Sequence, residues 1–372
     1  MALSPNYSWS EPDNSSLVKN GAADIRTLGD AIDTSVWNIG YGQAGKNKLI
    51  NADFNINQRS FSSSTSTTYT VDRWRYLTVG GTCTASVQTF TLGAAPVAPY
   101  EGKNYFRIVT SGQSAASDQT RLQQSIEGVR SLAGQTVTVS FWAKAATGTP
   151  KVAIEFDQDF NGGSANVYTT GTNPTLSTSW ARYSVTVAIP SISGKTIGGA
   201  NDQLVFKIFV SAGTDFNART TSLGIQSNTF EFWGVQIEYG SKATPFQTAT
   251  GTIQGELAAC QRYYWRSTAS AAYPYALIGN TSGIGSGANT VSMNLFHPVT
   301  MRTNPTAVEY GGTFYVLDGT SGGTGVTLAI NVANTFSTNV TATKTGAFTQ
   351  YRPYWLQAWG DAAAYIGLTA EL

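Results

Sequence analysis

Between Asn51 and Gln247 the chain is a succession of short segments with alternating polarity, broken by clusters of Gly, Asn, Ser and Thr. In Thr136–Lys144, Val137, Val139 and Phe141 fall on one side and Thr136, Thr138 and Ser140 on the other. That period of two belongs to a strand with one buried face. Phe230–Glu238 changes face nearly every residue in the same way. Further strands are expected at Trp74–Val79, Thr82–Phe90, Tyr105–Val109, Gln119–Ile126, Lys151–Asp157, Ala181–Val187 and Asp202–Val210, with a first strand starting within Lys48–Gln58. Many short strands at even spacing predict a β-sandwich.

The flanks read differently. Ala22–Val36 has Ile25, Leu28 and Ile32 on one helical stripe, and a single helix of about four turns is marginal in water unless that stripe is covered. Copies of itself in a short parallel coiled coil, a groove on another protein, or its own sandwich could supply the cover. Gly40, Gly42 and Gly45 then mark a linker. After Thr248–Gln254 a helix-like turn covers Gly255–Trp265. Strands are expected again at Tyr275–Gly279, Thr290–Leu295, Thr306–Tyr310, Phe314–Asp318, Val326–Val332 and Tyr365–Glu371, with exposed loops at Gly319–Gly325 and Gly346–Arg352. The expected division is an attachment and trimerisation segment over 1–47, a sandwich over 48–250 and a β-rich knob over 251–372.

Charged residues make up 12% of the 372, about half the usual share, and the formal net charge is +1. A chain without concentrated Lys and Arg has no electrostatic claim on nucleic acid. No apolar run reaches the roughly 18 residues of a membrane-spanning helix, and the N-terminus lacks the basic start and apolar core of a secretory signal. Low charge with abundant Gly, Ser, Thr and Asn suits extracellular β-proteins and closely packed subunits. The absence of a secretion signal beside that composition points to a virion component released by lysis. Cys83 and Cys260 read as two buried small hydrophobes rather than a disulfide framework or a zinc site.

No catalytic constellation stands out, and neither an enzyme nor a cofactor is expected. Asp157-Gln158-Asp159-Phe160-Asn161-Gly162 copies the first half of a calcium loop, but the twelfth position is Tyr168 rather than Glu, so a glycine-shaped turn is the better reading. His297 is the sole histidine and has no clustered ligands around it. Paired carboxylates could serve glycoside cleavage, with Glu155, Asp157, Asp159 and Glu231 as candidates, and Glu155 and Asp157 share a strand face. Sugar-binding surfaces set an aromatic face against a pyranose and reach its hydroxyls with Asp, Asn or Arg. Tyr168, Trp180, Tyr273, Tyr275, Tyr351, Tyr354 and Trp359 lie near loops, and Asp215 and Asn217 flank Phe216 in a polar loop. Tyr351, Tyr354, Trp359, Asp215 and Asn217 are the candidate ligand contacts, with the C-terminal domain favoured as the distal tip.

Asn51-x-x-Phe54, Gln58-Arg59 and Asp72-Arg73-Trp74 resemble the opening of a domain found in bacteriophage tail-fibre and minor virion structural proteins. Val139–Lys144, Val235–Gly240, Ala243-Thr244-Pro245-Phe246 and Glu256-Leu257-x-x-Cys260-Gln261-Arg262-Tyr263-Tyr264 are similar to the same family, as is the leader from Ser16 to Asp33. The last hundred or so residues carry no such likeness. The resemblance implies a carbohydrate-binding-module-like jelly roll; with the flanking segments read above, the expected fold is mainly β, with a short N-terminal anchor helix before the jelly roll and a second β-rich domain after it. The resemblance also implies a homotrimeric fibre on the virion surface, attached through residues 1–47 to another virion protein and adhering to host surface glycans. A head or capsid decoration fibre with a mainly structural role is the alternative.

Overall fold

The computed structural model describes residues 2–4, 8–11, 17–39, 45–97, 100–279, 282–319 and 322–372. The fold is mainly β. Twelve strands form the sandwich: β3 (Ser63–Ser64), β4 (Thr68–Tyr69), β5 (Arg75–Val79), β6 (Thr84–Thr89), β7 (Asn104–Thr110), β8 (Gln119–Glu127), β9 (Thr136–Ala145), β10 (Ala153–Asp159), β11 (Val167–Thr170), β12 (Ala181–Ala188), β13 (Gln203–Ala212) and β14 (Asn228–Tyr239). One sheet runs β11-β10-β13-β8-β5-β4 and the other β12-β9-β14-β7-β6-β3, each six-stranded and antiparallel throughout. Leu122, Ile154, Phe156, Phe206 and Ile208 of the first meet Phe106, Val137, Val139, Phe141, Phe230 and Phe232 of the second. Each such side chain contributes about 1.5–3 kcal/mol on burial, which is what the alternation in the sequence encodes.

The alternation fails to foresee that the centre of the second sheet is buried on both faces, while Ser184, Thr186 and Ala188 of its edge strand β12 stay exposed. Thr138 and Ser140 are buried because the segment after β14 folds back over them. Thr138 Oγ1 donates to Gly240 O at 2.8 Å, and Glu238 accepts from Thr244 N at 2.8 Å and Thr244 Oγ1 at 2.6 Å. Phe246 then enters a nest formed by Tyr100, Trp142 and Trp233, with ring centroids 5.1–6.5 Å away.

Lys48–Gln58 contains no strand, contrary to expectation. Asn51 and Phe54 adopt φ of 56° and 59°, the left-handed region that interrupts a ladder. The Asn51 side chain replaces the missing pairing: Nδ2 donates to Ile56 O at 2.8 Å and Asp72 O at 2.9 Å, and Oδ1 accepts from Ile56 N. Trp74 Nε1 donates to Asn51 O, and Glu256 accepts from Asn51 N at 2.7 Å. Glu256 lies on α3 (Ile253–Gln261), whose N-cap Thr252 accepts from Gly255 N.

Beyond α3 come β15 (Tyr264–Thr268), β16 (Ser282–Gly287), β17 (Thr290–Phe296), β18 (Val308–Gly311), β19 (Phe314–Leu317), β20 (Gly322–Thr324), β21 (Thr327–Ala333), β22 (Ser337–Thr343), β23 (Pro353–Ala358) and β24 (Tyr365–Thr369). They form a three-stranded sheet, β15-β24-β18, and a seven-stranded sheet, β20-β19-β23-β16-β17-β22-β21. Between these sheets lies a second core that includes Val291, Met293, Leu295, Val340, Leu356, Ile366 and Leu368. Two expectations fail here. Tyr275–Gly279 is a run of turns with one bridge, Leu277 to Gln357, and the supposed loop Gly319–Gly325 contains β20, which adds to β19 through backbone bonds that need no side-chain pattern.

At the N-terminus, β1 (Ala2–Leu3) pairs with β2 (Ser10–Glu11), and α1 spans Gly21–Ile39. Trp9 Nε1 donates to Ser35 Oγ of the helix at 2.8 Å. The stripe does not pack on the sandwich: Ile25 is 65% exposed and Ile32 is also exposed. Gly40 and Gly42 of the expected linker, and Ser16 of the leader, lie outside the described residues. No described helix is long and apolar enough to cross a membrane.

Candidate functional site

Some of the residues that carry the family resemblance, Gln58, Arg59, Asp72, Arg73, Arg262, Tyr263 and Tyr264, meet at one joint between the sandwich and the C-terminal unit. The Arg73 guanidinium lies 3.4 Å from the Tyr263 ring centre and pairs with Glu371, while Arg59 stacks 3.5 Å from that of Tyr264. Gln58 Nε2 bridges Asp72 Oδ2 at 2.6 Å and Tyr264 O at 2.8 Å, and Arg262 forks onto Glu127. Burial pushes the Asp72 carboxyl up to about 6, against the lowering influence of Gln58 and Arg59. Burial likewise raises the Cys260 thiol, and both cysteines are buried free thiols. These motifs are structural: through ion pairs, hydrogen bonds and stacking they lock two β units together.

The outer face of the first sandwich sheet holds a second cluster. As expected from the alternation, Glu155 and Asp157 share a face, but β13 inserts Lys207 between them, its Nζ 2.8 Å from Glu155 Oε1 and 2.7 Å from Asp157 Oδ2. Arg219 of α2 (Asn217–Thr220) forks onto Glu155 and lies 3.9 Å from the ring centre of Tyr168. Both carboxylates are therefore engaged by cations rather than aimed at a glycosidic bond. Glu231 is held in the same way by Arg107 and by Lys144 at 2.9 Å. Asp159 is spent on the turn, accepting from Asn161 N at 2.9 Å, with Asn161 and Gly162 both at positive φ. Loop 157–163 is thus a turn whose acids have protein partners, and no group of three or more candidate metal ligands exists among the described residues. Asp215 and Asn217 are exposed on the same loop as Arg219. They sit on the sandwich, apart from the other candidates.

His297 bonds Thr335 O through Nδ1 and Thr338 Oγ1 through Nε2, both at 2.9 Å. Burial lowers its pKa, opposed by the Thr335 bond. It is a structural staple between β17 and β22.

The C-terminal candidates separate. Tyr354 is a core residue, 1% exposed, with its hydroxyl accepting from Thr349 N and its ring edge-on to Phe348. It is corrected to a packing role, because β23 alternates and sends Tyr354, Leu356 and Ala358 inward. Tyr351, at φ 66°, is 80% exposed at the preceding turn. Trp359 is 45% exposed and stacks on Tyr315, centroids 4.5 Å apart at 29°, with Tyr275 edge-on at 5.5 Å. Trp359, Tyr315 and the exposed Tyr275 form one aromatic platform. Tyr315 went unnoticed in the sequence because only the pairing of β19 with β23 brings it to Trp359. The seven strands of that sheet contain no Asp, Glu, Lys or Arg. Their outer face carries Ser, Thr and Asn, with Asn339 linked to Asn294 and Ser292 at 2.8 and 2.9 Å.

No family model and no curated protein matches this chain. Among solved structures, the enzymatically active domain of tailspike protein 4 of bacteriophage CBA120 overlaps 52% of this chain and 22% of its own length, at 11% identity and a TM-score of 0.31. The chain thus spans about a fifth of that neighbour. The CBM22-1 xylan-binding domain of Paenibacillus barcinonensis Xyn10C overlaps 54% of this chain and 99% of its own length, at 12% identity and a TM-score of 0.30. A family 11 carbohydrate-binding module from Clostridium thermocellum gives 50%, 99%, 10% and 0.30 in the same order. At such scores the likeness is loose.

Proposed function

We propose that this protein is a non-catalytic adhesion fibre of a bacteriophage, binding host surface glycans through the C-terminal aromatic platform. The observation that carries this is the solvent-facing Trp359–Tyr315–Tyr275 cluster on and just beyond β19 and β23, in a sheet whose strands contain no charged residue. Aromatic faces hold the C–H side of a pyranose, and Asp361, two residues beyond Trp359 and accepting from Thr313 N at 2.8 Å, lies beside the platform as an acceptor for its hydroxyls. One such site gives about millimolar affinity, near −4 kcal/mol. Repeated copies on one particle raise avidity by orders of magnitude.

The stripe on α1, with Ile25 and Ile32 exposed and Leu28 half-buried between them, and with Leu17 and Val18 exposed beside it, supports self-association of the N-terminal segment as the trimerising and attaching end. The test is a pull-down of purified protein on host cells before and after periodate oxidation of surface sugars. Binding lost on oxidation is the expected result. Absence of binding in both conditions, from a confirmed trimer, favours a structural head fibre instead.

A further inference from the structure

The aromatic platform continues along its own strand. On β23 the side chains facing away from the core are Pro353, Trp355 and Gln357. Trp359 follows with the same parity just past the strand's end, where its N–H still donates to Thr313 O at 3.0 Å. Trp355 and Trp359 therefore lie on one line, about 13 Å apart, with Gln357 midway. Across the ladder Tyr315 pairs with Gln357 and Leu317 with Trp355, so the Tyr315 ring flanks the gap between the two indoles. Trp355 is half-buried, its ring leaning over the turn after β19, where a Cβ on Gly319 would lie 3.4 Å from it. Neither the Trp355 indole N–H nor the Gln357 side-chain amide has a protein partner among the described residues.

Beyond Trp355 the line opens into a cavity of about 500 Å³, lined among others by Ser282, Ile284, Ser292, Asn294, Asn339 and Pro353. The register places it there. Pro353 pairs with Ile284 and Tyr354 with Gly283, which sets Ser282 beside Trp355, and Ser282 pairs in turn with Asn294. Asn294 Oδ1 accepts from Asn339 Nδ2 at 2.8 Å, so the Asn294 amide keeps its own N–H groups for solvent. From Trp359 to Pro353 the shelf is about 20 Å long, open along its length, and orders its groups as indole, amide, indole and then a cavity with hydroxyls and amides. Such an order suits a chain of sugar rings, each offering C–H faces for stacking and a rim of hydroxyls for hydrogen bonds. Arg352 and Asp318, next in sequence to Pro353 and Leu317, are paired with each other at 2.6 Å and leave the shelf itself to neutral groups.

We propose that the platform is one end of an extended site, in which a linear glycan of several pyranose units runs along β23 from Trp359 over Gln357 and Trp355 to the cavity beside Asn294. The inference rests on the platform reading and adds to it the length and path of the bound chain. The test is ligand-observed NMR titration of the full chain with cellobiose and cellohexaose, maltose and maltohexaose, and diacetylchitobiose and hexaacetylchitohexaose. For at least one of these sugars the hexasaccharide should bind about tenfold or more tighter than the disaccharide. Trp355→Ala and Gln357→Ala, shown folded by circular dichroism, should lose most of that gain and keep disaccharide binding within about twofold, whereas Trp359→Ala should weaken both lengths. Equal affinity for the two lengths in wild type, or a gain untouched in Trp355→Ala and Gln357→Ala, would overturn the extended site and leave the platform standing. No binding by any of these probes would remove the platform and the extended site together. A lower oligomeric state of Trp355→Ala in sedimentation, with the gain retained, would overturn the proposal by assigning this face to contact between copies of the chain.

Discussion

In the sandwich, ionised side chains are buried and paired: Lys207 between Glu155 and Asp157, Arg73 against Glu371, Glu231 between Arg107 and Lys144. In the seven-stranded sheet of the C-terminal unit no strand carries a charge, and the aromatic groups reach solvent instead. Buried pairs add little net stability, but they make one arrangement far better than its neighbours, because a lone buried charge is costly. A charge-free exposed face has no such structural use and raises the risk of association. Buried pairing on one side and exposed neutral and aromatic groups on the other support the proposed division, in which the sandwich and its joint are the frame and the C-terminal surface makes the contact.

The comparison can be broken first at the joint. Arg73→Met leaves Glu371 only the longer pairing with Arg59, at 3.4 Å, and removes the buried guanidinium from its stack on Tyr263; stability should fall by about 3–5 kcal/mol in urea unfolding. A loss under 1 kcal/mol would mean the motif is not a lock. Lys207→Met, which strands Asp157 while Arg219 still holds Glu155, should cost slightly less, about 3 kcal/mol. If this variant proved neutral, the pairing would be dispensable and the frame reading would lose its second support.

Proton linkage gives the next effect. Asp72 rises from 3.8 to about 6 on folding, chiefly through burial, so the folded state holds this proton more tightly than the unfolded chain. Its contribution is present below about pH 4, declines as pH rises to about 6 and is lost above, a change of about 3 kcal/mol. Asp72→Asn should remove that part of the slope in unfolding measured from pH 4 to 7. A slope identical to wild type would show that another carboxyl is responsible.

Smaller effects belong to the exposed surface. Trp359→Ala should leave the fold intact and cost about 1 kcal/mol through the lost stacking on Tyr315. Tyr351→Ala should change stability by less than about 0.5 kcal/mol, whereas a cost of several kcal/mol would show the turn to be structural.

Much of the fold was legible because period-two alternation is local. Val137, Val139 and Phe141 declare their face without help, and so do most sandwich strands. Segments governed by backbone geometry were not legible: Asn51 and Phe54 look strand-like until their positive φ is known. Partners distant in sequence were equally hidden, since nothing near Glu155 announces Lys207 and nothing near Trp359 announces Tyr315. Tyr354 is a different case. The alternation Tyr354, Leu356, Ala358 was available and already pointed inward.

The account stands on the platform, and binding of the intact chain and of Trp359→Ala to an array of bacterial surface polysaccharides tests it most directly. Wild-type protein should bind at least one polysaccharide, and Trp359→Ala, shown folded by circular dichroism, should lose about tenfold or more in affinity for it. Undiminished binding by the variant would contradict the claim that the C-terminal aromatic surface makes the contact.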